Sequence, residues 1–189
     1  MIDSIADNLG TAVKETFGVE VQVPTMPFPR LSMEEAHEVL QQNGHAIPGN
    51  TKQGDLDPEG ERALGRYIGE QYGHQFIFIT DYPWHLRPFY HMRHAGGPSL
   101  TKSFDLLWNG VEVTTGAQRE HRYETPTQQA EQKGVDVKQI QYYLNFFRYG
   151  CPPHGGPGFG LTRMLMVLLE VPNVREVTYL YRGPKRLTP

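Results

Sequence analysis

The spacing of apolar positions changes several times along the chain, and each change marks an element. Ile5, Leu9, Ala12, Val13 and Phe17 recur at helical spacing, which predicts an amphipathic helix over residues 3–17 stopped by Gly18. Val19 to Val23 alternates apolar and polar, a short strand that Pro24 closes. Pro24, Pro27 and Pro29 make the next stretch an extended loop. Ser32, followed by Met33, Glu34 and Glu35, forms a capping box and predicts a helix to about Gln42. Gly, Pro, Asp and Asn crowd residues 43–58, which read as a loop, and a second helix follows from Glu59 to Gln71. The run Phe76–Thr80 is short and apolar, as a buried strand is.

In the second half, Pro83 to Tyr90 holds two prolines and reads as irregular or an edge strand, and Gly96-Gly97-Pro98 is a turn. Ser103 to Thr115 is the clearest hairpin: Phe104–Trp108 meets Val111–Thr115 across Asn109-Gly110, the preferred two-residue type I′ turn. Helices are predicted over Pro126–Lys133, ended by Gly134, and over Val137–Tyr149, where Ile140, Tyr143, Leu144 and Phe147 share a face. A short strand at Phe159–Leu161, an apolar helix at Arg163–Glu170 and a last strand at Val177–Tyr181 complete the pattern. Strands separated by irregular helical insertions predict an α+β fold, an antiparallel sheet flanked by helices, as one domain over residues 1–189.

The hairpin carries the first candidate chemistry. With Asn109-Gly110 as the loop, Trp108 pairs with Val111, Leu107 with Glu112 and Asp105 with Thr114, and opposed residues share a face. Asp105 and Glu112 then become diagonal neighbours, near enough to share a cation such as magnesium, with phosphate oxygens and water completing the shell. The plainer alternative is a solvated sheet face carrying two acids. Arg119, a few residues on, serves either as a structural ion pair or as a bidentate clamp for a substrate carboxylate.

Gly155-Gly-Pro-Gly-Phe-Gly160 has neither the spacing of a dinucleotide fingerprint nor the Gly-Lys-Ser/Thr of a Walker A loop. Glycines there let a flat ligand lie against the backbone, with Arg163 at the start of the next helix to meet phosphate; the alternative is a glycine-rich corner with a solvated arginine. The eight histidines form no zinc motif, although His85, His91 and His94 cluster in sequence. Eighteen basic against 21 acidic residues give a net charge of −3, so composition does not point to nucleic acid. The single cysteine, Cys151, excludes an internal disulfide, fits a reducing cytosol and has no obvious base nearby to make it a nucleophile. The N-terminus lacks the apolar core of a signal peptide, and no apolar run approaches the roughly 20 residues needed to span a membrane. The expectation is a soluble, cytoplasmic protein.

Three stretches together resemble the aspartyl/asparaginyl branch of class II aminoacyl-tRNA synthetases. They are Tyr82-Pro with Arg87-Pro-Phe-Tyr90; Ser103-Phe-Asp105 with Gly110-Val-Glu112 and Gly116-Ala-Gln-Arg119; and Arg148-Tyr-Gly-Cys-Pro-Pro-His154 running through the glycines to Arg163. Asn173-Val-Arg-Glu176 and Pro184-Lys-Arg-Leu-Thr-Pro189 extend the likeness to the last residue. The resemblance implies that Asp105, Glu112 and Thr115 hold magnesium on ATP, with Glu112, Gly160 and Arg163 at the nucleotide. It further implies that Arg163 is the catalytic motif 3 arginine at the γ-phosphate and that Arg119 recognises the amino acid's side-chain carboxylate. The Gly-Ala-Gln-Arg wording favours aspartate, with ATP and Mg2+ as cofactors.

The departures carry expectations of their own. Thr115 stands where the family has a serine, and strict alternation places it on the face opposite Glu112; sharing a metal requires a bulge, which Gly116 would permit. Thr162 replaces an acid, Arg93 a proline, and Tyr181 and Gly183 a proline and an aspartate, changes that suggest a paralogue. Motifs 1 and 2, the latter with the arginine for the α-phosphate, have no counterpart in these residues, so the resemblance implies a partial catalytic core. A homodimer or a partner protein would supply the missing half-site, or the chain would be a non-catalytic paralogue binding ATP, amino acid or another protein. Transfer RNA is a doubtful partner without an anticodon-binding barrel, although Arg182, Lys185 and Arg186 make the tail basic.

Overall fold

The computed structural model describes residues 1–45 and 54–188. Half of the loop expected over 43–58, residues 46–53, lies outside the described residues. Five strands form one sheet in the order β1 (Arg30–Ser32), β2 (Phe76–Thr80), β3 (Ser103–Trp108), β4 (Val111–Arg119) and β5 (His154–Phe159). The sheet is antiparallel except for the β1–β2 edge, which is parallel. Helices α1 (Ile2–Phe17), α2 (Met33–Gln42), α3 (Pro58–Tyr72), α4 (Glu124–Gln132), α5 (Gln141–Arg148) and α6 (Leu161–Leu168) surround it. Among the described residues no helix is long and apolar enough to cross a membrane.

Period-two alternation in the central strands produces two cores. Ile77, Ile79 and Leu107 face α2 and α3, where Met33, Ala36, Leu40, Leu64 and Ile68 are buried against them. Phe76, Leu106, Trp108 and Val113 face the other way, onto Met164 and Leu168 of α6 and onto Ile2 and Ile5 of α1. Phe76 stacks between Phe28 and Trp108, each ring centroid 4.7 Å away.

Local signals account for several elements. Ser32 and Glu35 close the capping box reciprocally: the Ser32 amide donates to Glu35 Oε2 at 2.7 Å and the Glu35 amide to Ser32 Oγ at 3.2 Å. Asn109 and Gly110 both take positive φ, 49° and 75°, as a type I′ turn requires. Asp57 caps α3 by accepting from the Gly60 amide at 2.7 Å.

Other expectations are corrected. Val19–Val23 is not a strand, because β1 occupies the edge beside β2; Val21 instead packs on the α6-side core. Val177–Tyr181 is not a strand either. Asn173 caps a 3-10 turn over Val174–Val177, and Tyr179 is 97% exposed. Helix α5 begins at Gln141 rather than Val137, after a turn in which Asp136 accepts from the Lys138 amide. The third strand of the second half lies over His154–Phe159 rather than Phe159–Leu161, since Gly160 caps α6 and Leu161 is already helical.

Helix α3 rests on the hairpin turn at two glycines. A methyl carbon on Gly65 would lie 2.5 Å from the Gly110 nitrogen, and one on Gly110 would lie 2.6 Å from the Arg62 Cα. Backbone meets backbone here, so neither side can yield cheaply. Gly65→Ala should therefore destabilise the protein by about 1–3 kcal/mol through overpacking. Gly69→Ala, one turn on in open space, should be neutral or stabilise by up to ~1 kcal/mol through helix propensity. Denaturant midpoints of the two variants test the contact; equal midpoints would remove it.

Candidate functional site

The site runs along β3 and β4, from Glu112 near the start of β4 to Arg119 at its end, on the face shared with α2 and α3. Strand β4 carries one residue more than β3 opposes there: Leu107 pairs with Glu112, but Leu106 pairs with Thr114 and Asp105 with Thr115. The expected pairing of Asp105 with Thr114 is thus one residue out. The extra residue is Val113, and it re-registers the strand so that Asp105, Glu112 and Thr115 fall on one face. A bulge was required for that, but Gly116 is not its source. Gly116 instead leaves room for the Phe104 ring, whose Cζ would be 2.5 Å from any methyl placed there.

Asp105 is 5% exposed, and its Oδ2 accepts from Arg87 Nη2 at 2.6 Å. The other Arg87 arm donates to Thr115 Oγ1 at 3.3 Å, and the guanidinium carbon sits 3.4 Å from the Tyr82 ring centroid. A charge pair this buried costs about 3–5 kcal/mol when one partner is removed, because the other is stranded. Among the described residues, Asp105 Oδ1 is buried without a hydrogen-bond partner.

Glu112 is half-buried and accepts from Arg163 Nη1 at 3.1 Å, while the same nitrogen donates to the Glu112 carbonyl at 2.9 Å. Burial raises the Glu112 carboxyl above its ordinary range, Asp105 adds to the rise, and Arg163 and Arg87 oppose it. Gly160 donates its amide to the Val113 carbonyl at 2.9 Å, which fixes the entry to α6 and places Arg163 in its first turn.

Arg119, at the end of β4, donates to the Gly156 carbonyl at 3.3 Å and sits 5.0 Å from the Tyr90 ring centroid. Together with Arg87, Tyr90, His91 and Thr115 it lines a cavity of about 160 Å³. The structure therefore brings all the sequence-predicted residues, Asp105, Glu112, Thr115, Arg119, Gly160 and Arg163, onto β3, β4 and the start of α6. Sequence reasoning gave no role to Arg87 and His91; Arg87 stood in the quoted Arg87-Pro-Phe-Tyr90 segment, but nothing local marks its partner 18 residues away. Cys151 does have a histidine beside it: its Sγ lies 3.6 Å from His154 Nδ1.

The carboxylate and hydroxyl donors, with one buried carboxylate oxygen unpartnered among the described residues, fit a hard divalent cation such as magnesium and not a soft one. Two arginines beside a small cavity give it a positive wall suited to a carboxylate. The same arginines act on His91: burial first, then Arg119 and Arg87, push its imidazole down to about 4.

This five-stranded sheet, with acids on one face and arginines around them, matches a fragment of class II synthetases. A profile of tRNA synthetases class II (D, K and N) matches residues 1–182, and the chain belongs to that family. It is 44% identical over 182 residues to an aspartate–tRNA(Asp/Asn) ligase of Aeropyrum pernix, covering 95% of this chain and 40% of that protein. With the aspartate–tRNA(Asp) ligase of Pyrococcus furiosus the identity is 42% over 170 residues, 90% of this chain and 38% of the relative. The aspartyl-tRNA synthetase structure from Entamoeba histolytica superposes with a TM-score of 0.90 at 34% identity, covering all of this chain and 39% of its own. An asparaginyl-tRNA synthetase of the same organism, in complex with asparaginyl-adenylate, gives 0.87 at 28% identity, with coverages of 100% and 42%. The chain spans about 40% of the length of the curated relatives it matches.

The His91 ring should stay neutral down to about pH 5, so its carbon-bound protons should not shift between pH 8 and 5 in nuclear magnetic resonance spectra. Unfolded His91 takes up a proton near 6.5 and folded His91 near 4. The unfolded state thus binds more protons in that window, and stability falls as pH drops from about 6.5 to 4, by about 3 kcal/mol from this residue. His91→Gln should flatten the loss; an unchanged pH dependence would contradict the assignment.

Proposed function

We propose that this chain provides part of an adenylating site for aspartate or a close analogue, with ATP and Mg2+ as the partners of its acids and arginines. The observation that carries the reading is the shared face: the Val113 bulge turns Asp105, Glu112 and Thr115 to the same side, with Arg163 at one end and Arg119 at the other. Asp105, Glu112 and Thr115 would hold the magnesium, which supplies charge neutralisation on the ATP phosphates. Arg163 would turn from Glu112 to the γ-phosphate, and the β5 backbone and Gly160 would lie against adenosine. Arg119 would take the side-chain carboxylate of aspartate in the cavity it shares with Arg87 and Tyr90, leaving the α-carboxylate to attack the α-phosphate in line as pyrophosphate leaves.

Stabilisation at the reacting phosphate is often the largest catalytic contribution, each lost donor costing about 3–4 kcal/mol. None of the residues assembled on this face is assigned to the α-phosphate. That contact would come from residues outside this face, and transfer RNA or another amine would accept the aminoacyl group. A second reading, binding of ATP or amino acid without catalysis, draws on Arg163: its guanidinium is engaged twice by Glu112 and must be freed before it meets phosphate.

Aspartate-dependent exchange of pyrophosphate into ATP separates the two readings: exchange supports the adenylating site, whereas calorimetric binding without exchange supports the second. Arg119→Ala should weaken aspartate binding roughly 30- to 150-fold, the loss of about 2–3 kcal/mol from a charge-assisted pair, and leave ATP binding unchanged. Unaltered aspartate affinity would remove the specificity assignment, and absence of both ATP and aspartate binding would remove the reading.

A further inference from the structure

The glycine contact that seats α3 on the β3–β4 turn also aims one of its side chains. Glu61 lies four residues before Gly65 and therefore on the same helix face, the face pressed on the turn. Its own carbonyl oxygen would lie 2.8 Å from a methyl on Gly110, and Glu112 begins two residues beyond that glycine. The Glu61 backbone is thus held against the turn that opens β4, and Glu112 and Asp105 are the acids whose fields reach its carboxyl.

The charges around this point do not balance. Asp105 is paired with Arg87 and Glu112 with Arg163, but among the described residues the Glu61 carboxyl has no ion pair or hydrogen bond. Burial, then Glu112, then Asp105 push the Glu61 carboxyl up to about 7, and Arg163 only partly offsets them. With Asp55 also acting on Glu61, the acids here outnumber the two arginines, and among the described residues one oxygen of the nearly buried Asp105 has no partner. Such an arrangement is costly when empty and is relieved by a cation.

We propose that Glu61 is a third acid of the cation site, gripping the ion through its bound water. This rests on reading Asp105 and Glu112 as that site. Among the described residues no three His, Cys, Asp or Glu side chains converge closely enough to hold an ion directly, so Glu61 belongs outside the ligand shell. Magnesium suits that geometry because it keeps several of its waters, and each such water donates hydrogen bonds to a nearby carboxylate. Glu61 is a positioning residue: it orients metal-bound water at a place where both other acids are already tied to arginines.

The test uses the full chain with Mn2+ as the probe, its free concentration read by electron paramagnetic resonance, with and without a non-hydrolysable ATP analogue. Glu61→Gln should weaken Mn2+ binding about tenfold, as losses of supporting groups around metal ligands do. In the absence of metal its thermal midpoint should equal or exceed that of the unaltered chain, because like-charge repulsion has been removed. Glu61→Asp, which keeps the charge but shortens the reach, should bind with intermediate affinity and serves if the glutamine variant does not fold. A purely structural Glu61 predicts the opposite pair, a lowered midpoint with affinity unchanged. Mn2+ affinity within twofold of the unaltered chain in Glu61→Gln, while Glu112→Gln loses it, overturns the role of Glu61 and leaves the cation site standing. No Mn2+ binding by the unaltered chain, with or without the nucleotide analogue, overturns both.

Discussion

Between Glu112 and Thr114, strand β4 spends one residue that β3 does not answer, and the consequences reach across the sheet. Side chains in a strand alternate with a period of two, so one inserted residue exchanges the faces of everything beyond it. Before the bulge Glu112 faces the α3 side; beyond it Thr115 and Arg119 do so as well, and Val113 itself is buried in the α6-side core. Val113 also offers its carbonyl to Gly160, so the irregularity that gathers the acids is the one that positions the start of α6 and hence Arg163. An unbulged β4 would keep Asp105 and Glu112 on one face and send Thr115 and Arg119 to the other.

The gathered charges then have to be kept compatible with burial. Arg87 does this for Asp105 by three contacts at once: an ion pair, a stack on Tyr82, and a hydrogen bond to Thr115. Such a pair contributes little net stability against apolar residues of the same shape, but loss of either partner is costly, so it fixes geometry more than it strengthens the fold. Burial, aided or opposed by these arginines, also shifts their neighbours' protonation. His91 stays neutral beside Arg87 and Arg119, while the acids Glu61 and Glu112 are raised despite Arg163, because burial and mutual repulsion outweigh one partly exposed guanidinium.

What could be read along the chain was whatever is encoded locally. The Ser32 capping box, the apolar run of β2 and the Asn109-Gly110 turn each need only a few neighbouring residues, and each stands where it was expected. The stretches Val19–Val23 and Val177–Tyr181 have the alternation of strands, but alternation does not specify a partner, and the edge beside β2 went to β1. The Asp105 register was one residue out because the bulge has no sequence mark: Val113 looks like any apolar strand residue, and the more suggestive Gly116 serves the Phe104 ring. Asp105, Glu112, Thr115, Arg119, Gly160 and Arg163 fall together on β3, β4 and the start of α6. The engagement of Arg87 with Asp105, and of Glu61 with the acids, depends on chain segments far apart in sequence and on a helix–turn contact between two glycines.

Strand β5 shows why the glycine-rich stretch was hardest to read and what its composition accomplishes. It pairs with β4 over His154–Phe159, and its only large apolar residue, Phe159, is mostly exposed, so backbone hydrogen bonds rather than side-chain burial hold it. No hydrophobic period is therefore present for a pattern to detect. The Gly160 amide points to β4, and in an antiparallel ladder amide directions alternate, so those of Gly158, Gly156 and His154 point the same way. Pro157 falls in the outward set, where its missing N–H costs no bond within the sheet and removes a donor from the open edge. The strand is thus a bare strip of backbone beside Thr115 and Arg119. A proline limits strand addition at its edge, and its glycines leave room for a flat ligand to approach the peptide plane. With β4 bulged and β5 stripped, the acids, the arginines and the empty backbone surface become parts of a single face.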